Sequence, residues 1–335
     1  MLKALGVDLP NIAAFTPTFR RDLACFGELH KSVLRFTPEE VVHHIVVPRE
    51  DVALFSRWKS SRLVIHTTNE VLPPSFLSVS LLSKALYSVS GLHDIKALKA
   101  LGRGELFVNL RRPWPPIRGW VLQQIIKFSA VGAMQADAVI MLDSDVVLIN
   151  EVKPSYLIEN GAVRHYRKPN SVSSDMKNHI AWHKGAHRLL GIAPEPGSDF
   201  ADYVSSFVVW DPAIVRAIQS RIEQVNAASW PSVLASEMRL SEWTIYGAYV
   251  DHIGTPRDRS FTSDLSLCHS HWDTNALVAG DVERFVESLD SSDLAILVQS
   301  TSETSLEVRS KIIAAALEKF GRGKFSALEG GVSHA

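Results

Sequence analysis

The chain has 335 residues, 46% of them hydrophobic, and a formal net charge of −1. That length and apolar content can bury a large core, which excludes a disordered or fibrous chain. The balanced charge excludes a whole-surface field that would gather nucleic acid. The two cysteines, Cys25 and Cys268, lie far apart in sequence, so no disulfide framework is expected and a reducing compartment fits. No charged stretch followed by a signal-like apolar run opens the chain, and nothing approaches the roughly eighteen uninterrupted apolar residues of a membrane span. A cytoplasmic protein without a transmembrane segment is expected, with peripheral contact at the inner face of the membrane left open.

In chain order, Asn11 to Pro17 reads as a first strand ending in the loop Thr16-Pro17-Thr18. A helix from about Arg20 to Arg35 carries Leu23, Phe26, Leu29, Val33 and Leu34 on one stripe. Val41 to Val47 is a second strand, Asp51 to Trp58 a helix and Leu63 to His66 a third strand. This βαβαβ opening predicts a parallel sheet with a ligand crevice at its carboxyl strand ends, near Thr16, Pro48 and Thr67. No glycine-rich dinucleotide fingerprint and no P-loop lysine pattern is present. From Leu72 to Pro116 short helices and loops are expected, punctuated by prolines. Arg118 to Met134 reads as a helix carrying Trp120, Gln123, Gln124 and Lys127 one to two turns apart; Trp120 reads as core, and the polar residues as facing either solvent or a site.

That helix feeds the stretch around which the chain is organised, Ala138 to Ile149, in which two apolar runs flank Asp143-Ser144-Asp145. Five consecutive apolar residues predict a strand buried on both faces. If the backbone stays extended, Asp143 and Asp145 project to the same side. Two like charges at the mouth of an apolar core need a cation, a basic side chain or a shared proton, and a divalent ion is the best single answer. Oxygen ligands alone suit Mg²⁺ or Mn²⁺, which keep positions open for phosphate oxygens.

Further on, Ala162 to His165 predicts a strand, with Arg164, His165, Arg167 and Lys168 in a basic loop. Ser173 to Leu190 predicts a helix with His179, His183 and His187 close to one face. Without the acid of the His-Glu-x-x-His pattern, this stripe reads as solvated or substrate-facing and not as a zinc site. Tyr203 to Trp210 reads as a strand, Asp211-Pro212 as a capped helix start, and Trp230 to about Arg239 and the segment from Ser241 as helices. Leu265 to Trp272 contains His269 and His271. A helix (Asp281 to Leu289), a strand (Leu294 to Val298) and a helix (Ser305 to Phe320) close a single domain over 1–320, with a frayed tail over 321–335.

Gly119-Trp120-x-x-Gln123-Gln124-x-x-Lys127, Leu142-Asp143-Ser144-Asp145 and Ser241-Glu242-x-x-x-Tyr246-Gly247, followed by a late His269 or His271, resemble a group of bacterial glycosyltransferase-like proteins of the GT-A type. The resemblance spans about Ile12 to Val298, and only the Asp-x-Asp is widely shared. It implies an α/β, GT-A-like nucleotide-diphospho-sugar transferase fold with a mixed, mostly parallel central sheet flanked by helices. It also implies a nucleotide-sugar donor, a saccharide or glycolipid acceptor, and Mn²⁺ or Mg²⁺ held against the diphosphate by the Asp-x-Asp and a late histidine. Asp145 and His269 are expected on the ion directly, with His271 the alternative, and Asp143 through water or on the ribose. Thr16, Pro17, Asp51, Lys127 and Ser144 are expected around the donor, Lys127 as a point charge on the diphosphate. Trp120, Gln123, Gln124, Trp243 and Tyr246 are the candidate acceptor or sugar contacts. For an inverting transfer, Glu242 is the candidate base, with Glu237 in reserve. A cap on its own helix is the structural alternative for Glu242.

Two other readings compete. A haloacid-dehalogenase-like phosphatase would use Asp143 as nucleophile and Asp145 as acid/base, but three predicted strands precede the motif and Phe285 stands where a later acid is wanted. A non-catalytic nucleotide- or sugar-binding module has no need of Glu242 beside a metal site.

Overall fold

The computed structural model describes residues 10–78, 107–117, 119–193, 200–254 and 260–329. The chain opens with β1 (Ile12–Pro17), α1 (Leu23–Phe36), β2 (Val42–Val47), α2 (Val52–Phe55), β3 (Leu63–Thr67) and α3 (Thr68–Val71). β4 (Phe76–Ser78), β5 (Phe107–Asn109) and β6 (Arg112–Ile117) make a small antiparallel sheet. α4 (Gly119–Ala133) then feeds β7 (Ala138–Leu142), and a turn leads to β8 (Val146–Leu148). β9 (Ile158–Glu159), β10 (Ala162–Tyr166) and β11 (Lys168–Val172) precede α5 (Lys177–Leu190), β12 (Phe200–Asp202) and β13 (Phe207–Trp210). Next come α6 (Pro212–Asn226), α7 (Trp230–Ala235), α8 (Glu242–His252), β14 (Ser260–Ser263), β15 (Cys268–His271), α9 (Val282–Glu287), β16 (Ala295–Val298) and α10 (Leu306–Glu329).

The central sheet has the order β13, β7, β1, β2, β3. β7, β1, β2 and β3 are parallel and β13 is antiparallel to β7. This is the mixed, mostly parallel α/β architecture that the sequence predicts, with helices on both faces. β7 is apolar and buried along its whole length because core packs against it from both sides. α4 supplies most of one layer, through Val121, Ile125, Phe128 and Val131. β8 leaves this sheet and joins another, ordered β15, β16, β8. The three residues Asp143 to Asp145 are therefore the point where the chain passes from one sheet to the other.

Several boundaries differ from the sequence reading. Residues 203–206 are not strand, and the predicted strand Tyr203 to Trp210 is shortened to Phe207–Trp210, because Ser205 and Ser206 hydrogen-bond locally and to Ser266 and Ser270. Arg164 and His165 lie within β10 and Lys168 begins β11, so the expected basic loop is sheet. The helix expected from Asp51 is a single turn, α2, between 3-10 turns. The backbone of α10 stays helical to Glu329, past the point where glycine and serine content predicts fraying. Short helices and loops are expected from Leu72 to Pro116, but the described parts of that stretch carry the strands β4, β5 and β6; 79–106 and Arg118 lie outside the described residues. Among the described residues no helix is long and apolar enough to cross a membrane.

Histidines expected at surfaces are core here. His183 and His187 are buried against Phe200, and the His183 Nε2–H donates to the Ala201 carbonyl at 2.9 Å. A stripe facing solvent or substrate is thereby corrected to a packed one. Thr16 is fully buried, its hydroxyl 2.9 Å from His43 Nε2, and His43 Nδ1 meets His30 Nδ1 at 3.1 Å. Thr16 thus belongs to a buried polar chain under the sheet and not to a ligand crevice. Burial, with smaller cationic contributions, brings His30, His165 and His183 down to about 4. As pH falls below 6.5 the unfolded chain takes up protons that the fold refuses, so stability present above 6.5 is lost progressively down to about 4. Thermal melts should show Tm falling steadily from pH 7 to pH 4.5, and a Tm that is flat across that range would contradict neutral burial of these rings.

Candidate active site

The carboxyl end of β7 carries the Asp-x-Asp, and the backbone does not stay extended through it. The Val146 N–H donates to the Asp143 carbonyl at 3.1 Å, closing a tight turn, so the two aspartates diverge instead of sharing a side. Ser144 points back to β1, its hydroxyl 3.1 Å from the Thr18 hydroxyl and 3.4 Å from the Pro17 carbonyl. Asp145 turns toward the second sheet, where its Oδ2 accepts from the Ser300 N–H at 2.8 Å. Arg309 of α10 is 4% exposed and fastens the turn from below. It donates to the Asp145 carbonyl at 2.8 Å and the Val298 carbonyl at 3.0 Å, and pairs with Glu28 of α1 at 2.9 Å.

Asp143 turns the other way, to Lys127 of α4. The Lys127 ammonium lies 2.9 Å from Asp143 Oδ1 and 2.7 Å from Glu242 Oε1, and 4.3 Å over the ring of Trp243. Burial alone would lower the Lys127 pKa, but Asp143 and Glu242 together outweigh it and hold the group above its ordinary value. Glu242 is 2% exposed, and its second oxygen has no hydrogen-bond partner among the described residues. Glu242 does not cap its own helix: Ser241 is the N-cap of α8, its hydroxyl accepting from the Thr244 N–H. The carboxylate is thus free to face Lys127. α4 sets this position twice over, because the Trp120 Nε1–H and the Gln124 Nε2–H both donate to the Leu240 carbonyl, at 3.0 and 3.1 Å, two residues before Glu242.

Other expected residues have different tasks. Asp51 is buried in a multidentate pair with the Arg20 backbone and guanidinium, which ties the loop after β1 to the loop after β2. Glu237 pairs with Arg188 at 2.6 Å on the surface, which takes it out of reserve as a base. Tyr246 is 2% exposed, stacked on Trp210 at 5.2 Å, with its hydroxyl accepting from the Asp211 N–H. Trp243 is also largely buried, edge-on to Trp210. Neither ring offers a face to a sugar, contrary to expectation, because the core behind β13 claims both. Gln123 is partly exposed on α4, and Trp120 is 53% exposed where core was expected.

The two late histidines separate cleanly. The His269 ring packs edge-on to Phe285 at 4.9 Å and its Nε2 meets the Ser288 hydroxyl. Since that hydroxyl donates to the Phe285 carbonyl, His269 Nε2–H is the donor. His269 therefore anchors α9. His271 stands at the carboxyl end of β15, its Nε2–H donating to the Asn275 carbonyl at 2.8 Å and its Nδ1 left with a lone pair. Extending the β8–β16 register by one residue sets Asp145 opposite Val298, which is opposite His271. Asp145 and His271 thus sit on one sheet face, about 10 Å apart between Cα atoms. His269 is thus packed against α9, while His271 stands at the strand end nearer Asp145.

Sequence reasoning missed Asp22, just before α1. Its carboxyl is pushed up to about 6, first by burial and then by Asp145 and Asp143, against the Ser144 hydroxyl and Arg21. Asp145 is raised for the same reasons, burial first and Asp143 second. As pH falls, protonation of Asp22 and Asp145 adds stability, against the loss from the buried histidines. The signal for Asp22 was available only through topology: β1 and β7 are neighbours, so the loop after one must lie beside the turn after the other. Asp22, Asp143 and Asp145 share a site in which Lys127 is already committed to two carboxylates. This surplus of negative charge fits a divalent cation. Among the described residues no three His, Cys, Asp or Glu side chains lie together as a ready cage for a metal ion. A cleft of about 480 Å³ lined by Pro10, Asp137, Pro154 and Gly161 lies at the opposite, amino ends of β1 and β7, away from this chemistry.

A family model described as a family of unknown function (DUF6492) matches residues 12–320. The chain belongs to that family. No curated protein matches this DUF6492 chain. Among solved structures it is similar to the apo structure of WbbM, a bifunctional glycosyltransferase, with 11% identity and a TM-score of 0.46. The match covers 92% of this chain and 50% of WbbM, so the DUF6492 chain spans about half of that protein's length. A likeness of that degree decides nothing about chemistry.

The buried clip gives a direct test. Lys127→Met leaves two carboxylates facing each other without their cation and should cost about 3–5 kcal/mol in urea unfolding. Adding Glu242→Gln should recover part of that loss, with a coupling of about 1–3 kcal/mol. A single-variant cost below about 1 kcal/mol would contradict a buried ion cluster.

Proposed function

We propose that this protein is a metal-dependent glycosyltransferase, moving a sugar from a nucleotide-sugar donor to a hydroxyl of a saccharide or glycolipid acceptor with inversion at the anomeric carbon. One observation carries the reading: Lys127 binds an aspartate of the Asp-x-Asp turn and a buried glutamate into a single cluster at the carboxyl end of β7. Ligands of α/β sheets bind at such ends. A GT-A-like arrangement fits the parallel core and the turn between the two sheets.

Asp145 would meet Mn²⁺ or Mg²⁺ directly, with Asp143 and Asp22 adding negative charge through water and the His271 Nδ1 the candidate nitrogen, its ring held by the Asn275 carbonyl. Such an ion neutralises charge on the departing nucleoside diphosphate, so no proton need be given to it. Ser144 keeps the turn against β1, and Arg309 and the Ser300 N–H fix Asp145. Glu242 takes the acceptor proton on its unpartnered oxygen: the acceptor O–H bond breaks, its oxygen forms the new bond to the anomeric carbon, and the bond to the diphosphate breaks with its electron pair. Lys127 keeps the other oxygen of Glu242 occupied and the carboxylate aimed. This role replaces the expected direct contact with the diphosphate, since the ammonium is already shared between Asp143 and Glu242.

A thermal-shift screen of nucleoside diphosphates and nucleotide sugars with and without Mn²⁺ tests the donor site, because ligands of the native state raise Tm. At least one nucleotide should raise Tm only with the metal, and Asp145→Asn should abolish that response. Unchanged binding in that variant would remove the metal from the account. For the reaction, Glu242→Gln should cut transfer by about a hundredfold or more with donor binding kept. The product should be inverted by NMR. Retained configuration would sink the assignment of Glu242 as base, and nucleotide binding with no transfer to any acceptor would leave a binding module.

A further inference from the structure

An exposed tryptophan whose ring is held still is unusual on a protein surface. Trp120 is 53% exposed, yet its indole N–H is fixed on the Leu240 carbonyl at 3.0 Å. Trp182 of α5 lies nearly parallel to it, with ring centroids 6.3 Å apart and planes 16° apart. His179 packs on Trp182 in turn, at 4.6 Å. Burying none of its exposed face in the core, Trp120 gains orientation and keeps a flat apolar surface open.

The surroundings specify what such a surface would take. Trp120 and Lys127 are seven residues apart on α4, about 10 Å along its axis. Between them stand Gln123, partly exposed, and Gln124, which is 1% exposed. Gln124 spends its amide N–H on the Leu240 carbonyl, and its Oε1 is a buried acceptor with no partner among the described residues. Glu242 Oε2, on the segment that the same carbonyl anchors, is a second orphaned acceptor. The partly exposed Gln123 amide beside the ring calls for hydrogen-bonding partners, and a fixed indole face calls for a flat apolar surface. A pyranose offers both, with an apolar ring face and hydroxyls around its rim. A lipid chain or an apolar peptide side chain would cover the Gln123 amide without pairing it.

We propose that Trp120, backed by Trp182, is a stacking platform for the acceptor saccharide, with Gln123 and Gln124 leading from it toward Glu242. This rests on the transferase reading above and names the acceptor class as a glycan of more than one sugar unit, since the platform stands two helical turns from Lys127. Trp120 binds acceptor and does not touch the reacting atoms.

The test uses the full chain on an array of immobilised bacterial and mammalian oligosaccharides, without donor. The wild-type chain should bind a subset of them. Trp120→Leu, which keeps apolar bulk without the ring, should weaken that binding about tenfold or more. Trp120→Phe, which keeps a ring but loses the N–H, should stay within about threefold. The metal-dependent nucleotide response in thermal shift should be the same in all three proteins. No glycan bound by the wild-type chain, or no loss in Trp120→Leu, overturns the platform. Equal loss in the Leu and Phe variants also overturns it, by making Trp120 only an anchor for Leu240. Glycan binding that depends on the ring, in a chain that answers to no nucleotide, leaves the platform standing and fails the transferase reading alone.

Discussion

The rest of the site depends on one buried ammonium. Lys127 has no water to fall back on, so its charge must be met by protein, and the two carboxylates that meet it come from segments far apart in sequence. Asp143 ends the central strand and Glu242 opens α8. Each would be costly to bury alone. Joined through Lys127 they fix the distance between the Asp-x-Asp turn and the carboxylate proposed as base. Asp143 remains 31% exposed on its side chain, so the cluster has an outer edge as well as a buried one.

That clip works because the turn it holds is itself over-determined. Ser144 ties the turn to β1, the Ser300 N–H ties Asp145 to the second sheet, and Arg309 closes it from α10 while holding Glu28 of α1. The opposite wall is equally fixed. Gly247 allows Tyr203 to lie flat on α8, where any Cβ would come within 2.3 Å of the ring, and the Tyr203 hydroxyl donates to Asp251 at 2.7 Å. α8 therefore cannot rotate freely, and Glu242 at its start keeps its aim.

The parts legible in the sequence were those set by local pattern. The apolar run of β7, the βαβαβ opening and the Asp211-Pro212 helix start all follow from periodicity and capping residues. What stayed hidden depends on which segments meet. The sequence shows that Lys127 is polar on an apolar helix, and only the fold shows that it faces two carboxylates in place of a diphosphate. Asp22 sits in a run of charges that reads as a solvated helix start, and strand order alone brings it beside the Asp-x-Asp. Tyr246 and Trp243 are amphipathic rings whose pattern suits either a sugar or a core, and Trp210 decides for the core. His269 and His271 have the same spacing relative to the sheet, and the packing of α9 against one of them tells them apart.

The account's central claim is that the carboxyl end of β7 is where donor and metal meet. Anomalous diffraction at the manganese edge, from crystals grown with Mn²⁺ and whichever nucleoside diphosphate raises Tm most, tests it directly. The account predicts a single strong peak in the first coordination shell of Asp145, with the diphosphate on the ion and Lys127 still between Asp143 and Glu242. A peak elsewhere, or a nucleotide seated at the amino ends of β1 and β7, would contradict it.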